Sequence, residues 1–187
     1  LDVLGIGSEV DAAGTPTTSI EFVNHRGKHL GRNPEELLLI KRGALNRVLR
    51  EQAIEHGVAV EFAKRLVAVS DDGRRVTARF ADGSEATGDV LVGCDGTHSV
   101  TRGAILPDGP APAYTGLVGT GGFVRLSNGP KPSPVMEMTF GLRAFFGYQV
   151  TPSGEIFWFQ NTPAPTEPQM TSSGEDAERW KARLVAL

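Results

Sequence analysis

The hydrophobic residues in the first half of the chain change their period from helical spacing to strand alternation. Leu45, Val48, Leu49 and Ala53 recur at the three- and four-residue spacing of one helix face, which predicts a helix over 42–56. The apolar run just before this segment predicts a short strand, and the glycine that follows the helix is typical of a C-terminal cap. We therefore expect a strand that leads into an amphipathic helix.

Residues 58–88 predict an antiparallel meander. A strand is expected at 58–62, and the residues after it alternate apolar and polar side chains with the period of two that is typical of strands. Asp72-Gly73 and Asp82-Gly83 are hairpin turn signals, because glycine adopts a positive φ at little cost. We expect these two turns to connect successive strands.

Val90–Gly93 is apolar along its length and predicts a strand that is buried on both faces, as in a parallel sheet covered by helices. Cys94, the single cysteine of the chain, follows it and is interpreted as a core residue. The segment then continues directly into Asp95 and Gly96. A carboxylate at the end of a buried strand is a candidate for a binding site.

A Pro- and Gly-rich stretch at 106–113 marks a boundary, and most of the aromatic residues lie beyond it. Two aromatic-rich runs predict strands of a second sheet. In the second run, Phe157 and Phe159 alternate with Ile156 and Trp158, so we expect neither face of this sheet to be freely solvated. The last segment predicts a helix with an apolar stripe formed by Ala177, Trp180, Leu184 and Leu187.

Composition and charge exclude several classes of function. The 187 residues include 19 Lys and Arg against 22 Asp and Glu, and there is no basic run, so no nucleic-acid partner is expected. No apolar stretch approaches the ~20 residues of a membrane span, so no membrane association is expected either. A single cysteine excludes an intrachain disulfide and a multi-thiolate metal site, and it fits a reducing, cytoplasmic compartment.

Two short motifs are not expected to bind ligands. The opening DVLGIGSEV imitates a dinucleotide-binding turn, but Val10 stands where the third glycine belongs. Gly14 and Pro16 disfavour the helix that should follow, so a helix end closed by glycines is the preferred interpretation. His25 and His29 flank a glycine-containing turn and not a helix face, so no metal site is predicted.

The longest motif is GCDGTHSVTR at 93–102, with the pattern G-x-D-G-x-x-S-x-x-R. It resembles the second conserved motif of the FAD-dependent aromatic hydroxylases, the p-hydroxybenzoate hydroxylase-like monooxygenases. IKRGALNRVL at 40–49 is similar to the segment of that family whose arginine reaches the FAD phosphates and ribose. The order and spacing of the aromatic strands after residue 114 are similar to those of the family's substrate domain.

The resemblance implies a mixed α/β fold with two parts. Residues 1–106 would be part of an FAD-binding, Rossmann-like domain, and residues 107–187 would be a mostly antiparallel β-sheet domain that binds the substrate. The family's G-x-G-x-x-G turn, which holds the FAD pyrophosphate, and its later G-D-A-x-H segment have no counterpart in this sequence. We therefore expect the chain to be the central piece of a longer enzyme.

The resemblance assigns six cofactor contacts, no catalytic residue and no metal ligand. Arg42 would contact the FAD phosphate or ribose, because a guanidinium is a fixed donor fork for phosphate oxygens. Asp95 would lie beside the pyrophosphate, facing the same cleft as Arg42, and act through water or backbone amides. The alternative for Asp95 is a turn aspartate that caps the helix starting near Ser99. Two of the remaining contacts would come from glycines that allow the backbone to approach the cofactor closely, Gly93 and Gly96. The other two would come from Ser99 and Arg102, which either contact the cofactor or only brace the motif.

The implied activity of the whole enzyme is an FAD-dependent, NAD(P)H-using monooxygenation of a small planar or aromatic substrate by dioxygen. The aromatic sheet would form one wall of the substrate cavity. We expect the isolated chain to bind FAD weakly and to be inactive, and an unpaired sheet edge favours a homodimer. The alternative is a non-catalytic β-sheet module that binds an apolar ligand or a partner chain. A G-x-G-x-x-G motif upstream in the gene would favour the enzyme.

Overall fold

The structure is a computed structural model that describes residues 2–168 and 181–182. Mostly antiparallel sheets combine with helices, which confirms the mixed α/β class. The chain divides into a sheet unit (Leu1–His56 and Tyr114–Leu187) and a meander unit (Gly57–Ala113). The sequence predicts another division, into a cofactor-binding part and a substrate-binding part that meet at 106/107. This functional division does not coincide with the two structural units and stays a prediction. The helices are α1 (Gly7–Ala13), α2 (Arg42–Glu55) and α3 (Val100–Ile105), and the strands are β1 (Thr15–Thr17), β2 (Ser19–Asn24), β3 (His29–Asn33), β4 (Leu37–Leu39), β5 (Leu66–Asp71), β6 (Val76–Phe80), β7 (Glu85–Gly88), β8 (Leu117–Val124), β9 (Val135–Phe140), β10 (Phe145–Val150) and β11 (Ile156–Pro163).

The sheet unit is built on six strands in the order β3-β2-β9-β10-β11-β8. Neighbouring strands are antiparallel except for β2 and β9, which pair in parallel with Ser19 opposite Val135 and Asn24 opposite Phe140. The aromatic strands predicted after residue 114 are confirmed as β8, β10 and β11. β2 and β3 also join this sheet, which the sequence pattern does not predict.

One face of the six-stranded sheet, called here the phenylalanine face, carries a continuous row of rings. Neighbouring ring centroids are 5.1–6.1 Å apart. Because side chains alternate along a strand, Trp158 lies on the opposite face, where its ring is 6.4 Å from that of Phe146. Both faces therefore carry aromatic side chains, as the sequence pattern predicts. The rings of the phenylalanine face are, in order, Phe22, Phe140, Phe145, Phe159, Phe157 and Phe123.

A buried hydrogen bond joins this sheet to the two-stranded ribbon β1–β4. Gln149 in β10 is fully buried, and its Oε1 accepts from Thr17 Oγ1 at 2.6 Å. The Gln149 Nε2 donates to the carbonyl oxygen of Pro16 at 3.3 Å. Buried amides need partners at both polar ends, and this one finds both in β1. The bonds fix the ribbon against the phenylalanine face, on which Gln149 lies opposite Phe157.

The two longer helical segments of the sheet unit pack through a small apolar core. Ile6, Val10 and Val48 are buried together between the segment that begins α1 and the middle of α2. The predicted helix is confirmed, since α2 runs over Arg42–Glu55. Gly57 follows with φ of +79°, in the left-handed region that a C-terminal glycine cap uses.

The meander unit confirms the predicted antiparallel hairpins. β5, β6 and β7 pair in sequence order, and α3 packs against β5. Gly73 and Gly83 occupy the turns with φ of +82° and +84°. In the first turn, Asp72 Oδ1 accepts from the backbone N–H groups of Arg74 and Arg75, both at 2.8 Å. Local turn chemistry therefore sets the register of this unit.

The predictions of strands at 58–62 and at Val90–Gly93 are wrong. Neither segment pairs with a strand in the described part of the chain, and Val90 and Val92 are 78% and 77% exposed. An apolar pattern is not enough to form a strand, because the backbone N–H and C=O groups also need a neighbouring strand to bond. Cys94 is exposed as well, so its interpretation as a core residue is also wrong.

The beginning of the chain contains a helix that ends at a glycine, which agrees with the preferred interpretation. α1 forms over Gly7–Ala13 and stops at Gly14, and β1 follows in place of the helix that Gly14 and Pro16 are expected to disfavour. Gly5, with φ of +70°, closes the short 3-10 turn Asp2–Leu4.

Within 2–168 and 181–182, no helix combines the length and the apolar character needed to cross a membrane. The predicted helical stripe of Ala177, Trp180, Leu184 and Leu187 lies outside the described residues.

Candidate functional site

Asp95 caps the first turn of α3. Its Oδ2 accepts hydrogen bonds from the backbone N–H groups of Val100 at 2.8 Å and Thr101 at 3.1 Å, and its Oδ1 accepts from Ser99 Oγ at 2.5 Å. The hydrogen bonds from Ser99 and Thr101 favour the charged form and lower the pKa of Asp95 to about 2. The capping alternative from the sequence analysis is therefore present, and both carboxylate oxygens are engaged within their own turn.

Ser99 and Arg102 brace the same turn, called here the Asp95 turn (residues 93–102). Ser99 is the N-cap residue of α3, and its Oγ accepts from the backbone N–H of Arg102 at 2.8 Å. The guanidinium of Arg102 donates to the carbonyl oxygen of Thr97. These contacts hold the loop and the start of the helix in one conformation.

The two glycines of the Asp95 turn, Gly93 and Gly96, are required for different structural reasons. A Cβ atom at Gly93 would lie 2.5 Å from the Cβ of Thr101, which is itself buried. Gly96 has φ of +80°, where a side chain is strained. Only glycine therefore allows the loop to lie this close to α3 and then to reverse its direction.

Arg42 is the first residue of α2, and its side chain is exposed. None of the described residues forms a hydrogen bond or an ion pair with its guanidinium. On the same helix, Arg47 is paired with Glu51 at 3.1 Å. Arg42 is thus a cation at a helix start that is available to bind an anion.

The six predicted cofactor contacts fall into two groups. Arg42 belongs to the sheet unit, while the other five lie together in the Asp95 turn of the meander unit. Among the described residues, no cluster of His, Cys, Asp and Glu could hold a metal ion. His29 instead contacts Glu21 on the neighbouring strand.

A cavity of about 320 Å³ lies within the sheet unit, between the start of α2 and the turn that joins β10 to β11. Its volume is at the lower end of the roughly 300–1,000 Å³ that is typical of small-molecule sites. Phe123, at one end of the phenylalanine face, forms part of the wall together with Leu39, and the hydroxyl residues Thr151 and Ser153 form another part. The cavity therefore combines an aromatic surface with hydrogen-bonding groups.

Lys41 and Glu155 form an ion pair in this cavity. Lys41 Nζ lies 2.7 Å from Glu155 Oε2 and 4.4 Å from the centroid of the Phe123 ring. The Glu155 side chain is only 22% exposed, so the attraction is less screened than at an open surface. The pair places one ammonium and one carboxylate beside an aromatic ring.

The turn that carries Glu155 is fixed by hydrogen bonds. Thr151 Oγ1 accepts from the backbone N–H of Glu155 at 3.2 Å and donates to its carbonyl oxygen at 2.9 Å. Arg125 donates from Nη1 and Nη2 to the carbonyl oxygen and the hydroxyl of Ser153, at 2.5 Å and 3.2 Å. Glu155 therefore meets Lys41 in a preformed position.

Lys41, Phe123 and Glu155 are site residues that the sequence pattern does not predict. Two weak signals exist: Lys41 stands next to Arg42 in the helix-start motif, and Glu155 is a lone acid at the head of an aromatic strand. Neither signal indicates that the two side chains meet, because they are far apart in the sequence.

Comparison with known proteins gives one family and several relatives. The family model described as an FAD binding domain matches residues 1–124. Aurachin C monooxygenase/isomerase of Stigmatella aurantiaca is 28% identical over 171 residues, which cover 87% of this chain and 44% of the relative. The FAD-dependent urate hydroxylase of Klebsiella pneumoniae subsp. pneumoniae is 31% identical over 126 residues, which cover 67% of this chain and 32% of the relative. The chain thus spans less than half the length of these relatives.

Solved structures share the fold. The crystal structure of Klebsiella pneumoniae HpxO complexed with FAD and uric acid superposes with a TM-score of 0.74 at 23% sequence identity, covering 96% of this chain and 48% of that chain. At this level of identity the similarity establishes a common fold.

Proposed function

Because this chain belongs to the FAD binding domain family, we propose that it is part of an FAD-dependent monooxygenase that hydroxylates a small planar aromatic or heteroaromatic compound. The observation that carries the proposal is the family match over 1–124, which includes both Arg42 and the whole Asp95 turn. A urate hydroxylase among the relatives and a structural neighbour that holds uric acid support a planar ring as substrate.

Arg42 is proposed to bind the phosphate or ribose part of FAD. Its guanidinium is exposed at the start of α2, and the described residues leave its donors unused. An arginine with no structural partner is suited to this role, since it forms charge-assisted hydrogen bonds to phosphate oxygens without giving up a contact of its own.

The Asp95 turn is proposed to contact FAD through its backbone and through water. Asp95 is an anion with a lowered pKa, and its oxygens already accept from Ser99, Val100 and Thr101. Its carboxylate is therefore suited to ordering the loop and not to binding an anionic phosphate directly. Gly93, Gly96, Ser99 and Arg102 keep the loop compact enough for a ligand to approach its backbone.

The phenylalanine face is proposed to form one wall of the substrate site. Phe123 lines the cavity beside Lys41, and the row of rings continues from it across the sheet. Aromatic walls suit planar rings, because offset stacking adds to the burial of apolar surface. FAD, when bound, takes electrons from NAD(P)H and activates dioxygen, while the protein positions the ring and excludes water.

The exposed thiol of Cys94 supports a reducing, cytoplasmic location.

The proposal is tested on the full-length protein that contains this chain. The purified protein is expected to be yellow, with one flavin per chain, and to consume NAD(P)H faster when a suitable ring compound is added. Isotopically labelled dioxygen should deliver one labelled oxygen atom to the product. A full-length protein that binds no flavin would contradict the proposal and favour a non-catalytic module.

A further inference from the structure

The charged groups of the cavity cancel one another. Of the described residues that line it, Lys41 and Glu155 alone carry charge, and they are paired at 2.7 Å. The remaining lining is apolar or carries hydroxyl groups. The side chains that line this cavity therefore carry no net charge.

Each partner of the pair still has hydrogen-bonding capacity. The ammonium of Lys41 has three donors, and the contact with Glu155 uses one of them. The contact uses Oε2 of Glu155, and among the described residues no hydrogen bond engages Oε1. The cavity thus offers a donor and an acceptor side by side, next to the ring of Phe123.

We propose that this cavity receives the substrate ring, and that the Lys41–Glu155 pair selects a neutral planar ring with an adjacent N–H and C=O over a carboxylated ring. The proposal rests on the proposed function and adds the substrate class. A lactam edge can give its N–H to Glu155 and its C=O to Lys41, whose ammonium lies 4.4 Å from the centroid of the Phe123 ring.

A carboxylated ring is disfavoured by the same geometry. Its anion would lose water and come to lie beside the Glu155 carboxylate, while the Lys41 charge is already neutralised. Arg125 strengthens this selection as a positioning residue, because its bonds to Ser153 fix the turn that holds Glu155.

The test uses two ligands with the same ring, 2-quinolone and quinoline-2-carboxylate, and measures their binding to the full-length protein by isothermal titration calorimetry. The wild type is expected to bind 2-quinolone at least about tenfold more tightly, a difference of about 1.4 kcal/mol. Glu155→Gln leaves the Lys41 charge uncompensated and should move the ratio at least about tenfold towards the carboxylate. Lys41→Met should move the ratio the other way.

Glu137→Gln is the matched control, because Glu137 lies opposite Tyr148 and outside the cavity. It should leave the ratio unchanged. Circular dichroism shows whether each variant is folded, and Lys41→Arg, which keeps the charge, should keep the wild-type preference. An unchanged ratio in both Glu155→Gln and Lys41→Met, or no binding of either ligand to the wild type, would overturn the proposal. Flavin absorbance is read on the same samples, so loss of the proposed function is seen separately from loss of ligand selection.

Discussion

The Oδ2 atom of Asp95 accepts a hydrogen bond from the backbone N–H of Thr101 at 3.1 Å, so the carboxylate stabilises the helix that follows it in the chain. This contact gives Asp95 a structural role whether or not a cofactor is bound. Variants of Asp95 are therefore expected to change stability as well as FAD binding, and the two effects have to be measured separately.

The first prediction concerns acid stability. The folded-state pKa of Asp95 is about 2, below its usual value of 3.8, so its stabilising effect is present above about pH 4 and is lost as the pH falls towards 2. Asp95→Asn should lower the melting temperature at pH 7 and flatten its decrease between pH 4 and 2. Thermal melts followed by circular dichroism across this range measure the effect.

Asp89→Asn is the control for the acid prediction, since Asp89 is exposed and no hydrogen bond from the described residues reaches its carboxylate. It should leave the acid profile unchanged. The stability of every variant should still decrease somewhat in acid, because Lys64 and Ser84 lower the pKa of Asp82 as well. A variant at Asp95 with the wild-type profile would contradict the role of the cap.

The second prediction compares two glycines near α3. Gly93→Ala places a Cβ 2.5 Å from the Cβ of buried Thr101, so the loop and the helix must separate. Such overpacking costs about 1–3 kcal/mol of stability. Gly103→Ala, within α3, has no atom within 4 Å of the new Cβ. It should be neutral or stabilising by up to about 1 kcal/mol through helix propensity. Chemical denaturation that gives equal effects for the two variants would count against the close approach at Gly93.

The third prediction separates FAD binding from stability. Arg42→Ala in the full-length protein should weaken FAD binding about ten- to hundredfold, the loss expected for a charge-assisted hydrogen bond worth about 1.5–3 kcal/mol. The melting temperature without FAD should stay the same, because no described residue pairs with Arg42. Arg47→Ala on the same helix removes an exposed pair with Glu51, its partner among the described residues, and should leave FAD binding intact. Fluorescence titration with FAD measures both, and equal affinities in the two variants would remove Arg42 from the cofactor site.

The fourth prediction concerns Tyr148 on the face opposite the phenylalanine row. Burial and, to a smaller extent, the nearby charge of Glu137 raise the pKa of Tyr148 above its ordinary value of 10.0. Glu137→Gln should therefore lower this pKa while leaving it above 10, since burial remains. Because the folded state favours the neutral phenol, this stabilisation is lost as the pH rises from 10 through the folded-state pKa. Ultraviolet titration of tyrosinate measures it in the 187-residue chain with Tyr114→Phe, in which Tyr148 is the one remaining tyrosine. No shift on Glu137→Gln would show that burial alone accounts for the raised pKa.

The parts of the fold that the sequence predicts correctly are those with local causes. The helix over 42–56 follows from its apolar spacing, and the hairpins at Gly73 and Gly83 follow from turn chemistry. The segment Val90–Gly93 has the composition of a buried strand, but strand formation depends on a partner elsewhere in the chain, which composition does not reveal. The pairing of β2 with β9 is missed for the same reason.

In the candidate site, too, local contacts are predicted from the sequence and contacts between distant segments are not. Capping of α3 by Asp95 is predicted as an alternative, because the carboxylate and the amides it binds lie within six residues of each other. The Lys41–Glu155 pair is not predicted, because it depends on how β11 and α2 are placed in the folded sheet unit. Contacts between distant segments need the tertiary fold before they can be recognised.

The parallel pairing of β2 with β9 has a consequence for biosynthesis. β2, with Ile20 and Phe22, leaves the ribosome long before its partner strand, whose register begins at Val135. At roughly 5–20 residues per second, this delay is on the order of ten seconds. During that time β2 and β3 form at most an isolated hairpin with an apolar open edge, which is prone to aggregation. Soluble expression is therefore expected to depend on chaperone capacity, and to improve when translation between these two strands is fast.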